Sequence, residues 1–259
     1  MFEMPGELSE FTIYFLIIAS MVTSFISSAF GIGGGAILIG LLAIKLPPFA
    51  LLPIHGVVQI GSNFGRTLIF LKDVKRDVLI PFCIGTVLGS ILGGTFFVQI
   101  EPWLLQLIVA LFILWSVFGK IPAIGRTHVV FGGMFSGFFT MFFGASGTLV
   151  AGMVKTMKLE PVKHTATHSA LMTIQHLIKV IIFGFVGFVY AEYFLLIVAM
   201  IISGFVGTLI GKKILVNFGK KYFKLVLNII LTLIAANLIW NAIKMSGYLV
   251  TWPIFSLCV

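Results

Sequence analysis

Phe30-Gly31-Ile32-Gly33-Gly34-Gly35-Ala36-Ile37-Leu38 and Phe143-Gly144-Ala145-Ser146-Gly147-Thr148-Leu149-Val150 are two settings of one pattern. Each is a glycine-rich break inside apolar sequence, followed by a short apolar run that ends near a lysine (Lys45 in the first, Lys155 and Lys158 in the second). They begin 143 − 30 = 113 residues apart, and the same step carries Pro48 to Pro161, His55 to His168 and Arg66 to Lys179. Downstream the step grows to 118, carrying Gly89 to Gly207 and Gly93 to Gly211. The chain therefore reads as an internal duplication with an interrupted hydrophobic segment at the same place in each half. Such a pair of interruptions is the sequence pointer to a transporter binding site built from half-helices.

Composition sets the solvent. The 259 residues are 59% hydrophobic and 10% charged, with a mean hydropathy of +1.17, whereas a soluble domain carries about 25% charged residues. Several apolar runs reach the ~20 residues that cross a bilayer as helix. The expected fold class is an all-α polytopic membrane protein. A net charge of +9 would suggest nucleic acid in a soluble chain. Here it is read as lysine and arginine gathered in cytoplasmic loops, with the lipid bilayer as partner and no nucleic acid. Met1 to Glu10 holds Glu3, Glu7 and Glu10 and no base, so no cleaved leader is expected. Cys83 and Cys258 make no disulfide framework.

Taken in order, residues 11–45 predict a re-entrant hairpin, a helix over 11–30 and then a half-helix from Ala36 to Lys45. Consecutive glycines are poor helix interior, each costing about 1 kcal/mol relative to alanine, and ten residues rise only ~15 Å, half a bilayer. Spans at 50–71, 78–98 and 103–119 complete a first repeat, 1–119. A cytoplasmic linker, 120–128, leads to a second repeat, 129–259, with its hairpin at 129–157 and spans at 164–189, 194–215 and 225–243. Gly85, Gly89 and Gly93, and again Gly207 and Gly211, form small-residue stripes for close helix contact.

The basic loops are 72–77, 120–126, 155–163 and 212–224; the N-terminus, 99–102 and 190–193 are acidic or neutral. Placing the basic loops in the cytoplasm gives each half one hairpin and three spans. Three is odd, so the halves insert with opposite orientation. The expectation is an inverted repeat in the inner or plasma membrane with both termini outside, Lys45 falling on the unfavoured side.

In that arrangement the two half-helix N-termini meet near the midplane. Their unpaired N–H groups and the helix dipole, roughly +0.5 charge at each end, make an anion site. Gly33, Gly34, Gly35, Ser146, Gly147 and Thr148 are the candidate donors. The next helix of each half carries a polar face: His55, Gln59, Ser62, Asn63 and Arg66 in the first, His168, Met172, Gln175, His176 and Lys179 in the second. His55, Gln59, Asn63, His168 and Gln175 are candidates to shape the site, because polar residues inside a membrane helix usually line a cavity. The competing role for the histidines is a bond to a backbone carbonyl. Arg66, His176 and Lys179 are candidate charge or proton partners, Arg66 with snorkelling to an interface as its alternative. No carboxylate falls in any predicted membrane interior, which favours an anionic substrate. No catalytic residue, metal or cofactor is expected.

The paired Phe-Gly-x-Gly-Gly-Gly and Phe-Gly-x-Ser-Gly-Thr breaks, with Pro48/Pro161 and His55/His168, resemble the sulfite exporter TauE/SafE family, also called the 4-toluene sulfonate uptake permease family. The resemblance runs over residues 11–243. It implies transport of sulfite or a small organosulfur anion such as a sulfonate, outward in many members and driven by an ion gradient, with a proton or sodium ion as coupling partner; a homo-oligomer stays open. Two other readings stand beside it. An anion channel of the same architecture shares every feature above. An intramembrane serine protease would use Gly144-Ala145-Ser146-Gly147 with Ser146 as nucleophile and His168 as base, but the repeat explains that motif without catalysis.

Overall fold

A computed structural model describes residues 8–30, 33–97, 100–119, 128–144, 146–213 and 220–246. The linker 120–128 apart from His128, loop residues 214–219, Cys258 and both chain ends, whose side of the membrane is an expectation above, lie outside the described residues. Those described form ten α-helices and no strand. They are α1 (Glu10–Phe30), α2 (Gly34–Lys45), α3 (Pro48–Ile69), α4 (Leu79–Phe97), α5 (Pro102–Phe118), α6 (Val129–Phe143), α7 (Gly147–Thr156), α8 (Pro161–Phe185), α9 (Phe194–Lys213) and α10 (Lys220–Met245). The chain is a multi-pass membrane protein. Among the described residues five helical segments are long and apolar enough to cross a bilayer, and the exposed residues of α4, α9 and α10 include Ile84, Leu88, Ile91, Phe205, Leu209, Ile229 and Leu233.

Both breaks fall at the glycines. Gly33, at φ 102°, stands before α2, and Gly144, at φ 67°, ends α6. Positive φ is cheap only without a Cβ. α2 and α7 have 12 and 10 residues, rises of about 18 and 15 Å, so neither crosses a bilayer. Pro48, Pro102 and Pro161 each occupy the first helical position, where the missing N–H costs nothing.

α1, the first arm of the expected hairpin, has 21 residues and is long enough to cross the whole bilayer, while α6 has 15. α5 has 17 residues, bounded by Pro102 at its first position and Gly119 at its cap. Lys212, Lys213, Lys220, Lys221 and Lys224, expected in a loop, lie within α9 and α10, because only six residues separate the two helices and apolar neighbours continue the helical pattern into both ends.

The glycine stripes explain the tightest packing. A Cβ on Gly85, Gly89 or Gly93 of α4 would strike the carbonyl oxygens of Val130, Met134 or Phe138 on α6. On α9, Gly207 and Gly211 face the carbonyls of Met21 and Phe25 on α1 in the same way. The contacts obey the repeat at both ends: 134 − 21 and 138 − 25 are both 113, while 207 − 89 and 211 − 93 are both 118. Without a hydrophobic drive between helices in lipid, such close approach and interhelical hydroxyl bonds supply the cohesion. Ser90 donates to the Gly137 carbonyl (3.1 Å), and across α1–α9 Ser20 and Ser203 donate to the Met200 and Ile17 carbonyls (2.7 and 2.8 Å).

At the centre α3 packs on α8, and they run antiparallel. Phe49 meets Phe188 at one end, Gly56 faces Val180, and Thr67 lies 3.4 Å from Thr173 towards the other. α5 packs on α10, and both rest against α2, whose Gly40 leaves room only for Ile113 and Ile234. The basic turn after α3 meets the start of α8, where the Lys75 backbone N–H donates to Thr167 (3.0 Å) and Val74 packs on Ala166 and Ala170.

Replacing Gly89 by valine is expected to destabilise the protein by about 1–3 kcal/mol or more through overpacking, and Gly207→Val likewise. Leu88→Val, one residue away on the exposed face, should leave thermal unfolding of the purified protein nearly unchanged. Equal midpoints for all three would contradict the stripe contacts.

Candidate functional site

α3 and α8 present their polar faces to the tips of α2 and α7, and a cavity of about 60 Å³ lies between them. On this scale a cavity needs about 10–15 Å³ to hold one water, so this one has room for several waters or a small ligand. From the tips come Gly33, Gly35, Gly147 and Thr148; from α3 come His55, Gln59, Asn63 and Arg66; from α8 come His168 and His176. Of the fourteen sequence-derived candidates, Gly34, Ser146, Gln175 and Lys179 stand behind the wall. Four positions not singled out as site residues join it: Ser27, Ala36, Gly144 and Met172. Ser27 carried a signal, since 27 + 113 = 140 is Thr140, one of two hydroxyl pairs (with Thr23 and Ser136) that the repeat matches on α1 and α6.

Both repeat-matched histidines bind the half-helices. His55 Nε2 lies 3.1 Å from the Gly35 carbonyl oxygen, and His168 Nε2 lies 3.0 Å from that of Gly147. A carbonyl only accepts, so each Nε2 carries the proton and each Nδ1 is left as an acceptor. The carbonyl-bonded role is therefore what both rings perform, while still facing the cavity. Gln59 lies beside His55 at 3.3 Å, and its backbone carbonyl accepts from the Asn63 side chain at 2.8 Å.

Arg66 is buried and turned inward rather than snorkelling. Nη2 donates to Asn63 Oδ1 (3.0 Å), Nη1 to the Ser27 carbonyl (3.4 Å) and Nε to the Ser62 carbonyl (3.4 Å). All its partners are neutral, so its charge has no counterion among them.

The second tip is held from behind. Gln175 Nε2 donates to Ser146 Oγ and to the Ser136 carbonyl, both at 2.8 Å, tying α8 to α7 and α6. Ser146 is fully buried, and its side chain does not cap α7. Gly33 cannot cap α2 with a side chain either. Both tips thus keep their first N–H groups uncapped by side chains. Gly34 allows α2 to lie on α1, since a Cβ there would strike the Thr23 carbonyl and Ser27 Oγ. The Ser146–His168 pair that a serine nucleophile needs is not the pairing either residue makes: one holds Gln175, the other Gly147.

Around the cavity, buried polar atoms lack partners among the described residues. They are Thr148 Oγ1, His55 Nδ1 and His176 Nδ1. The His55 and His176 rings, one from each half, meet edge to face with centroids 5.7 Å apart. Unpaired buried polar groups cost about 1–3 kcal/mol each, and three on one small cavity mark a place where a ligand or water supplies the missing bonds.

The family model described as Sulfite exporter TauE/SafE matches residues 16–238, from the second turn of α1 to the last third of α10. No curated protein and no solved structure matches the chain.

Gln175→Leu is expected to lower the stability of the ligand-free protein by about 1–3 kcal/mol for each buried group it orphans. Thr148→Val, which removes a hydroxyl that has no partner, should leave the midpoint unchanged or raise it. Thermal unfolding of both variants checks the contrast, and equal losses would contradict these roles.

Proposed function

The chain belongs to the sulfite exporter TauE/SafE family, a family of membrane transporters, and on that footing we propose that it is a secondary carrier exporting sulfite or a small organosulfur anion by alternating access. The anion sits between the N-termini of α2 and α7. The observation that carries this is the convergence on one cavity of two helix tips free of side-chain caps, a buried guanidinium without a counterion and three orphaned polar atoms. The backbone N–H groups of the tips and Arg66 supply positive potential, Thr148 donates a hydroxyl bond, and His55 and His168 fix the tips through their carbonyls. Ser146 and Gln175 act by positioning the second tip. Gly34 acts by letting α2 seat on α1.

The halves are proposed to be inverted repeats, 1–119 and 129–259. Support comes from the antiparallel course of α3 against α8 and from the exchange of packing partners, α4 on α6 and α9 on α1. The basic turns 72–77 and 158–163 lie at one end of the molecule, which supports placing them together in the cytoplasm.

Sulfite, sulfate and methanesulfonate, with acetate as control, are to be tested as stabilisers of the purified protein. A ligand that binds only the folded state adds about 2.7 kcal/mol at a hundredfold excess over its Kd. The sulfur anions should raise the midpoint and acetate should not. Thr148→Val should weaken their binding by ~1.5–3 kcal/mol, one hydrogen bond to a charged group. Gly34→Val should abolish sulfite transport in proteoliposomes. Loss of stabilisation by every sulfur anion would overturn the binding reading.

A further inference from the structure

Lys179 is sealed in the molecule: it is 0% exposed, and its Nζ has no hydrogen-bond partner among the described residues. Its stem crosses α3 at Gly56, where a Cβ would come within 3.1 Å of Lys179 Cε. Glycine at 56 is thus what admits the lysine between α3 and α8. One turn before it on α8 stands His176, and next to Gly56 on α3 stands His55. Both rings line the cavity, both have an unpaired Nδ1, and both lie within electrostatic reach of Lys179.

We infer that Lys179 is a proton site coupled to the anion site: the amine takes up one proton as an anion enters the cavity, and gives it up as the anion leaves. This rests on the carrier reading above. Its physical basis is that an ammonium in a dry interior with no acceptor is costly, and an anion beyond the His55 and His176 rings is the nearest charge able to compensate it. Anion and proton therefore favour each other's binding by the same factor. The proton is taken from hydronium in the solvent, whose O–H bond breaks to leave water, and forms one N–H bond on the amine lone pair; no other bond changes. Orphaned Nδ1 atoms on His55 and His176 offer acceptors on rings that both line the cavity and lie within electrostatic reach of the amine. A dianion carried with one proton moves as one net negative charge, which an inside-negative potential still drives outward.

No neighbouring group supplies an alternative counter-charge. Facing α8, α3 brings His55 and Arg66, α7 brings only exposed Lys155, and α4 brings only half-buried Cys83; α6 brings none. On α8 itself the other titratable groups are Lys163, His164, His168 and His176. The turn Leu71–Asp73 packs on the first turns of α8 and brings Lys72 and Asp73 there, the Tyr190 hydroxyl donates to the Val180 carbonyl, and Glu160 and Glu192 stand in turns beyond the ends of α8.

The test is the heat of sulfite binding to the full-length solubilised protein in buffers of different ionisation enthalpy, which yields protons taken up per anion. Sulfite's own protonation is common to every variant and cancels in the comparison. Wild type is expected to take up about one proton more than Lys179→Met or Lys179→Arg, since arginine stays charged. Lys179→Met should weaken sulfite binding about tenfold, and Lys179→Arg should keep it. Equal proton uptake by wild type and a sulfite-binding Lys179→Arg protein overturns the inference and leaves the carrier reading intact. Absence of sulfite binding in wild type instead removes the carrier reading and this inference with it. Wild type alone gives a second reading in weakly buffered proteoliposomes with an internal pH dye. Methanesulfonate, which brings no proton near neutrality, should carry protons with it; its movement without a pH change would also overturn the inference.

Discussion

Hydrocarbon offers a backbone no hydrogen bonds, so a helix may be broken at membrane depth only where protein or a polar cavity receives the freed groups. Everything distinctive about this chain follows from breaking two helices there. Gly33 and Gly144 adopt the positive φ that the breaks require, and the groups around the breaks are then accounted for one by one. His55 and His168 take carbonyls of the first turns, Gln175 takes Ser146 and the Ser136 carbonyl, and the N–H groups of the tips are left to the cavity. The polar faces of α3 and α8 exist to serve these two ends, which is why α3 is long but not apolar enough to count among the bilayer-crossing segments.

The duplication made much of this legible. The steps of 113 and 118 link residues that the fold then treats alike: the glycine stripes meet repeat-equivalent carbonyls, and the two histidines reach equivalent first turns. Composition was enough for the membrane class. What could not be read was which side of a short polar helix faces the cavity. Ser146 and Gln175 point at one another because one turn of helix separates the wall from the layer behind it, and a 3.6-residue period does not resolve that at a helix tip. Nor could spacing show that Arg66 turns inward, which depends on Ser27 of α1 lying across from it.

The repeat is broken where function would need it broken. Gly40 on α2 accepts Ile113 and Ile234, so α5 and α10 both close on that half-helix; the equivalent position on α7, 40 + 113 = 153, is Met153, buried against α4 and α8 in a separate apolar cluster. Two half-helices with the same task therefore have different walls, one backed by the α5–α10 pair and the other by α6 and α8. Inverted repeats alternate access by letting the halves exchange conformations around a fixed site. On that proposal the mobile surface is the contact of α5 and α10 with α2, whereas the glycine-tight pairs α4–α6 and α1–α9, locked carbonyl against Cα, are the parts that move as rigid units. The same division explains the unequal cations. Arg66, held by three neutral acceptors, stands at the wall; Lys179, whose Nζ has no hydrogen-bond partner among the described residues, is on our inference the cation whose charge the occupant of the cavity decides.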